Sequence, residues 1–260
     1  MAESSKPRFR WQWLPILVVW LLIWQLAYWL IGRDLYLASP LQVAERLLGL
    51  VQQLEFWQSA GLSLLRILAG FALGVLAGTL LAVVTVNVRW LDAFFHPAIS
   101  AIRATPVASF IILAMVWMTN SRVVVFIVFL MVLPIVWANV AEGIRKADPQ
   151  LLEMASVFKL SRGQIIRQIY LPSISPFFIT AATTSLGLGW KAGIAAEVLS
   201  LPPLSLGGRL YDARIYLETA DLLAFTLVII VLSLLLEKLL LLTLHRAQSY
   251  FRRHGRGGQL

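Results

Sequence analysis

Two ionisable residues, Lys191 and Glu197, interrupt a long apolar stretch of the chain. A charge at membrane depth is costly and normally faces a water-filled path or a partner of opposite charge. The two residues are six positions apart, which rotates a helix by about 240° net, so they do not share a helix face. Each therefore needs another partner. Both residues are candidates for a solute path. The alternatives for Lys191 are a structural ion pair with another helix or a side chain that extends to the membrane interface.

Three further polar residues are candidates for the same path: Arg103, Thr105 and Thr184. Arg103 and Thr105 come just before Pro106, and this proline is expected to kink its helix and free a backbone carbonyl. The alternative for Arg103 is that its side chain extends to the cytoplasmic lipid headgroups. Thr184 belongs to a segment of hydroxyls and glycines that permits local unwinding, as at transporter sites.

The residues that most enzymes and metal sites need are scarce or scattered. The chain has no cysteine, which excludes disulfides, thiolate metal sites and cysteine nucleophiles. Its three histidines, His96, His245 and His254, are far apart in the sequence, and Glu197 and Glu237 fall in different apolar segments. We therefore predict no catalytic residue and no metal site, which disfavours a membrane-embedded enzyme.

The composition predicts a membrane protein. Of the 260 residues, 59% are hydrophobic and 13% are charged, whereas soluble proteins carry about 25% charged residues. Too little polar surface remains for a water-soluble or nucleic-acid-binding domain. The net charge of +9 is instead explained if Lys and Arg collect in cytoplasmic loops.

Six segments have the apolar length, about 20 residues, of a membrane-spanning helix. They are Leu14–Ile31, Leu62–Val86, Pro97–Met118, Val123–Ala141, Ser175–Leu199 and Leu222–Leu244. We therefore predict an all-α polytopic protein with one transmembrane domain over residues 14–244. Arg66, near the outer end of the second segment, is expected to reach the membrane interface or to pair with a loop carboxylate.

The basic residues orient these segments. With the N-terminus in the cytoplasm, 13 of the 22 Lys and Arg residues fall in inside segments and five in outside segments. The bias predicts that both termini are cytoplasmic, with an N-terminal segment of residues 1–13 and a basic tail of residues 245–260. The alternative for the N-terminus is a cleaved signal peptide, but its apolar run is long and no small-residue cleavage site follows.

Three glycines, Gly70, Gly74 and Gly78, recur every four residues in the second apolar segment. A helix stripe without side chains lets another helix approach closely. We expect these glycines to mark a helix-packing face, although glycine is also generally common in spanning helices.

Two polar segments carry helix-capping patterns. Ser39-Pro40-Leu41-Gln42, in the predicted outer loop of residues 32–61, indicates the start of a short amphipathic helix. The predicted cytoplasmic loop, residues 142–173, contains Asp148-Pro149 and then Ser161-Arg162-Gly163-Gln164. These patterns predict two short helices that meet near Leu160, the first with Leu151, Leu152, Ala155 and Phe158 on one apolar face. Pro172 is expected to end the second helix.

This cytoplasmic loop resembles the EAA loop of bacterial ABC-importer permeases. The matching residues are Glu153-Met154-Ala155, Gly163 and Ile169-Tyr170-Leu171-Pro172. Met154 replaces an alanine of the pattern, and Lys159 stands where the family has glycine, so the bend must form without glycine. Ser63-Leu64-Leu65-Arg66, Gly189-Trp190-Lys191 and Tyr216-Leu217-Glu218-Thr219 resemble the nitrate/sulfonate/taurine-type permeases in particular.

The resemblance implies a type I importer fold of six spans with a cytoplasmic two-helix coupling loop. It implies pairing with a second permease subunit, as a homodimer, and with two ATP-binding subunits and an external solute-binding protein. The residues that would contact the ATPase are Glu153, Ala155, Phe158, Lys159, Leu160 and Gly163. This chain has no Gly-x-x-x-x-Gly-Lys-Ser/Thr loop, so ATP and Mg²⁺ would be bound by the partner ATPase and no cofactor by this chain.

The function implied is ATP-driven import of a small solute across the bacterial inner membrane. The subfamily resemblance favours an organic or inorganic anion such as a sulfonate or nitrate, and related permeases also resemble carriers of vitamin precursors. An ion-coupled secondary transporter is the main alternative. Such a transporter typically contains an internal repeat, and none is evident between the two halves of this sequence.

Overall fold

The computed structural model describes residues 13–255, and this part of the chain is entirely helical outside its turns. The α-helices, in chain order, are α1 (Trp13–Ile31), α2 (Pro40–Val51), α3 (Leu54–Asn87), α4 (Arg89–Ala104), α5 (Val107–Trp117), α6 (Asn120–Arg145), α7 (Pro149–Val157), α8 (Arg162–Ile165), α9 (Leu171–Ser200), α10 (Leu206–Ile215) and α11 (Thr219–Gly255). The predicted all-α class is confirmed. Most of the predicted N-terminal segment and the last five residues of the predicted tail lie outside the described residues.

Three described helices are long and apolar enough to cross a membrane: α3, α6 and the Thr219–Leu244 part of α11. The bent pair α4 and α5 makes a fourth if it counts as one span. The six-span prediction is thus supported for three or four segments. Helices α1 and α9 occupy the places of the other two. The apolar part of α1, Pro15–Ile31, is short, and the hydroxyls, glycines and charges of α9 lower its hydropathy.

The predicted third span is broken rather than continuous. Its first helix begins at Arg89, well before the predicted Pro97, and α4 and α5 meet at an angle of 105°. Thr105 between them is extended, with φ −82° and ψ 132°. The residue before a proline is pushed out of the helical region, and Pro106 has no N–H to continue the hydrogen-bond ladder. The predicted kink is therefore a sharp corner.

The core is centred on α6, which packs between α3 and α9. Three glycines of α3 lie against a valine row of α6: Gly70 on Val128, Gly74 on Val132 and Gly78 on Val136. A β-carbon on Gly70 would lie 2.5 Å from the nearest atom of α6, and one on Gly74 would lie 2.7 Å away. The missing side chains thus allow the two helix backbones to approach closely.

Pro172 does not end the second hairpin helix, contrary to the sequence prediction. A π-helical turn, Ile166–Tyr170, joins α8 directly to α9, and Pro172 lies in the first turn of α9. A proline has no N–H to donate, and the first turn of a helix tolerates this absence. The widened π turn resets the hydrogen-bond ladder just before the proline. As a result the second hairpin helix continues into α9 without a break in the helix.

On the predicted outer side, α2 begins as predicted at the capping box of Ser39 and Gln42. Arg46 of α2 forms an ion pair with Asp221 at the start of α11, and Nη2 donates to Oδ2 over 2.7 Å. This hydrogen bond raises the pKa of the Arg46 guanidinium. Helix α3 begins at Leu54, eight residues before the start of the predicted second span.

Candidate functional site

The predicted cytoplasmic hairpin consists of α7 and α8, and its two helix starts are capped as the sequence indicates. Asp148 accepts a hydrogen bond from the backbone N–H of Gln150 over 2.9 Å. Ser161 and Gln164 form a reciprocal capping box. Each cap satisfies backbone donors that the first helical turn leaves without partners.

Lys159 makes the bend between the two helices in a left-handed conformation, with φ +51°. The backbone N–H of Leu160 donates to the carbonyl of Ala155, and that of Lys159 to the carbonyl of Ser156. This is the helix-ending pattern in which glycine usually occupies the left-handed position. Gly163 is not part of the bend, and a β-carbon there would contact nothing within 4 Å.

The hairpin has a small core of its own, which divides the apolar face predicted for α7. Ala155 is fully buried with Ala147 and Ile169, and Leu152 and Leu160 pack against them. Of the predicted face, Leu152 and Ala155 are covered, whereas Leu151 and Phe158 remain exposed. The reason is that α7 packs on the helix that follows the bend, and this contact covers only one side of α7.

The other side of α7 is an exposed apolar surface. Val157 is 77% exposed, Phe158 71% and Met154 50%. Glu153 and Lys159 are also exposed and flank these side chains. Of the six residues that the resemblance assigns to coupling, Ala155 and Leu160 support the hairpin from inside, and the other four lie on its surface.

Helix α9 carries an exposed polar stripe of Thr180, Thr184 and Lys191. At 100° per residue their positions fall within an arc of about 40°. The Thr184 hydroxyl and the Lys191 ammonium have no hydrogen-bond or ion-pair partner among the described residues. Trp190 is buried, so the stripe is one edge of a helix whose other side packs in the core.

Arg103 and Thr105 lie at the corner between α4 and α5. Arg103 is exposed in the last turn of α4 and pairs with no other described residue. The half-buried Thr105 hydroxyl donates to the carbonyl of Ala101 over 2.8 Å. Among the described residues, no hydrogen bond or ion pair joins Arg103 or Thr105 to the stripe on α9.

Glu197 is fully buried and belongs to a closed polar cluster on the predicted outer side. Its carboxylate accepts from the Ser63 hydroxyl over 2.8 Å and from the Gly207 N–H over 3.1 Å. Arg66 Nη1 lies 3.4 Å from Oε1. The expectation that Arg66 reaches the interface or pairs with a loop carboxylate is wrong, because its acidic partner lies on α9.

Sequence reasoning missed this cluster because it compared Glu197 only with a residue of the same helix. Two charges in separate apolar segments, Arg66 and Glu197, were a usable signal, since ionisable groups at membrane depth pair with one another. Lys191 and Glu197 do not contact each other, as their angular separation on one helix predicts. The described residues contain no group of His, Cys, Asp and Glu side chains that could hold a metal ion.

Comparison with known proteins gives consistent matches. Residues 70–248 match the family described as "Binding-protein-dependent transport system inner membrane component". The chain is 30% identical to the riboflavin transport system permease protein RibX of Chloroflexus aurantiacus over 91% of this chain and 92% of that protein. It is 28% identical to the nitrate import permease protein NrtB of Synechococcus elongatus over 72% of this chain and 71% of that protein.

The bicarbonate transport system permease protein CmpB of Synechococcus elongatus is 26% identical over 70% of this chain. The match spans 66% of CmpB, slightly less than two thirds of its length. Among solved structures, one described as an amino acid ABC transporter with histidines superposes with a TM-score of 0.59. It covers 71% of this chain and 90% of that one at 18% identity, so the likeness concerns the fold alone.

Proposed function

The chain belongs to the family of binding-protein-dependent transport system inner membrane components, and from this membership we propose that it is the permease subunit of an ABC importer for a small anion. The resemblance drawn from the EAA-like loop is thereby confirmed. The chain is a membrane protein and a transporter component rather than an enzyme. The solute that the chain transports, the energy source and the orientation in the membrane are parts of the proposal.

The observation that carries the proposed anion class is the exposed ammonium of Lys191 on α9, which forms no ion pair with any described residue. A cation at this depth is retained where a passing anion or water compensates it. The nearest carboxylate along the helix, that of Glu197, is already neutralised by Arg66, so it leaves the positive charge of the stripe uncancelled. NrtB and CmpB are named for nitrate and bicarbonate, whereas RibX is named for riboflavin.

We place the solute path along the stripe of Thr180, Thr184 and Lys191. The Thr184 hydroxyl, which pairs with no other described residue, supplies a donor for an oxyanion beside the cation, whereas the Thr180 hydroxyl donates to the carbonyl of Pro176. Arg103 and Thr105, at the corner between α4 and α5, are proposed as the residues of the path on the cytoplasmic side. The corner itself provides non-helical backbone, which at membrane depth is tolerated beside a cavity or in packed protein.

The exposed side of α7 is the proposed docking surface for a partner ATPase. Val157 and Phe158 provide an apolar contact, and Glu153 beside them a charged one. An amphipathic helix of this kind fits a hydrophobic groove on another protein. ATP and Mg²⁺ would be bound by that partner, because this chain has no phosphate-binding loop of the usual kind.

The proposed assembly holds two permease subunits, two ATPase subunits and an external binding protein in the bacterial inner membrane. ATP-driven closure of the ATPase pair would move the two hairpins. The π turn and α9 continue each hairpin without a break, so the motion would reach Lys191 through one connected helix. The path would then open alternately to either side. Both termini are placed in the cytoplasm because basic residues favour that side.

Transport by the reconstituted complex tests the proposal. Proteoliposomes that contain this chain, its ATPase and external binding protein would be supplied with labelled nitrate, bicarbonate, an alkyl sulfonate and riboflavin as a neutral comparator. We expect ATP-dependent uptake of an anion. Uptake without ATP would indicate an ion-coupled transporter, and uptake of riboflavin alone would contradict the anion class. Protease digestion of a C-terminal tag from outside sealed spheroplasts would contradict the orientation.

A further inference from the structure

Helix α10 is attached to α3 and α9 through its first turn. The backbone N–H of Leu206 donates to the Ser63 hydroxyl over 2.9 Å, and that of Gly207 donates to Glu197. Ser205 adds an ordinary cap at the N–H of Gly208. The donors at this helix start are thus taken up by side chains from two other helices, one of them a buried carboxylate.

The turn that leads into α10 is held by Arg66. Its Nη2 donates to the carbonyl of Pro203 over 2.7 Å and its Nη1 to that of Leu204 over 3.2 Å. The same guanidinium faces Glu197. Arg66 therefore links the carboxylate on α9 to the backbone just before α10, and both charged groups are almost completely withdrawn from solvent.

The contact between α10 and α9 leaves no free space. A β-carbon on Gly207 would lie 2.5 Å from the β-carbon of Glu197 and 2.8 Å from the carbonyl of Ile194. Leu201 and Leu204, in the connecting turn, have φ +46° and φ +49°. Non-glycine residues adopt this conformation only where surrounding contacts impose it. Because α10 is seated so closely, it cannot shift without moving Glu197.

The opposite end of α10 leads directly into α11 and carries several exposed side chains. Tyr216 is 74% exposed, Ile215 54% and Leu217 62%, and Asp212 is also exposed. A cleft of about 300 Å³ separates this end from α2 and the start of α3, and charged side chains of both signs line it. The side chains at one end of α10, beside α11, are thus accessible to a partner, and the other end is fixed to the helix that carries Lys191.

We propose that α10 is the element through which the external binding protein acts on α9, and that the Arg66–Glu197 pair is the positioning pair that transmits its movement. The proposal rests on the proposed function, which supplies the partner. A binding protein that displaces the exposed end of α10 would pull on Glu197, six residues from Lys191 on the same helix. Neither residue of the pair needs to contact the solute.

The test separates signal transmission from catalysis. In proteoliposomes, ATP hydrolysis by the complex is measured with and without the binding protein. Glu197→Gln keeps an acceptor for Ser63 and Gly207 but removes the charge that faces Arg66. We expect the basal rate to persist and the stimulation by the binding protein to fall at least tenfold. The matched control is Glu45→Gln, which removes an exposed carboxylate of α2 that does not line the cleft and should retain the stimulation.

A second measurement applies if Glu197→Gln fails to assemble. The chain has no cysteine, so Glu55→Cys with Arg209→Cys allows α10 to be tethered to α3 by a cleavable bismaleimide, at a place where an ion pair now joins them. The tether should suppress stimulation, and cleavage should restore it. Wild-type stimulation in an assembled Glu197→Gln complex, or in the tethered one, would overturn the proposal. Failure of the wild-type complex to respond to any binding protein would instead contradict the proposed function.

Discussion

Arg66 and Glu197, 131 residues apart in the sequence, form an ion pair across α3 and α9, with 3.4 Å between Nη1 and Oε1. The carboxylate side chain has no exposed surface, and that of Arg66 is 10% exposed. Two buried charges are tolerated when each compensates the other and hydrogen bonds satisfy their remaining groups. The Ser63 hydroxyl and the Gly207 N–H complete the shell of the carboxylate.

Removal of the guanidinium should destabilise the protein strongly. Arg66→Ala leaves Glu197 buried without a counter-charge, and breaking a buried pair in this way costs about 3–5 kcal/mol. We expect a large drop in the melting temperature of the purified protein. Arg103→Ala, which removes an exposed arginine that pairs with no described residue, is the control. Equal melting temperatures for the two variants would contradict a stabilising role for the pair.

The glycine row should be intolerant of even one methyl group. Gly74→Ala would place a β-carbon 2.7 Å from that of Val132, and such overpacking costs about 1–3 kcal/mol. Gly61→Ala is the control on the same helix, because nothing lies within 4 Å of its β-carbon position. Thermal unfolding should show a lower stability for Gly74→Ala and no decrease for Gly61→Ala. An unchanged Gly74→Ala protein would mean that α3 and α6 are not closely packed there.

A glycine at position 159 should stabilise the hairpin. Lys159 adopts φ +51°, and the left-handed conformation costs a non-glycine residue about 1–2 kcal/mol. Glycine avoids this penalty but gains entropy in the unfolded chain, so the expected net gain from Lys159→Gly is smaller, about 1 kcal/mol. Lys159→Ala removes the charge without relieving the backbone and should not stabilise. Hydrogen exchange at the Leu160 N–H would report the difference, and faster exchange in Lys159→Gly would contradict the expectation.

Lys191→Ala should reduce transport without unfolding the protein. The side chain is exposed and forms no ion pair with a described residue, so its removal leaves no charge buried without a partner. We expect a lower uptake of the anion, an unchanged melting temperature and partial recovery in Lys191→Arg. A stable protein with wild-type uptake would remove Lys191 from the path. A clear decrease in thermal stability would indicate a structural partner in a neighbouring subunit.

Charge reversal on the exposed side of α7 should uncouple the protein from its ATPase. If Glu153 meets a basic or amide group in the partner, Glu153→Lys replaces an attractive interaction by a repulsive one, and breaking a buried charged pair costs about 3–5 kcal/mol. Transport should be abolished at a normal membrane level of the protein. Glu45→Lys, an equal charge change on the exposed face of α2, is the control. Normal transport-coupled ATP hydrolysis in Glu153→Lys would count against docking at this surface.

The sequence alone determined the helical class, the family and the caps of the short helices. Asp148, Ser161 and Gln164 act on backbone groups within one turn of themselves, so their effect can be predicted from spacing alone. The separation of Lys191 from Glu197 was predictable for the same reason, because the rotation per residue of a helix is constant. Local geometry determines all of these features.

Only the tertiary structure decided which helices bring their charged residues together and which helix packs against each small residue. The pairing of Arg66 with Glu197 depends on the relative rotation and depth of α3 and α9, and no periodicity within either helix specifies these. The inward position of Ala155 likewise depends on what packs against α7. The helix continues through Pro172 into α9 because a π turn precedes the proline. This π turn lies where the hairpin joins a packed helix. Long-range packing sets these features, and it is a property of the assembled bundle.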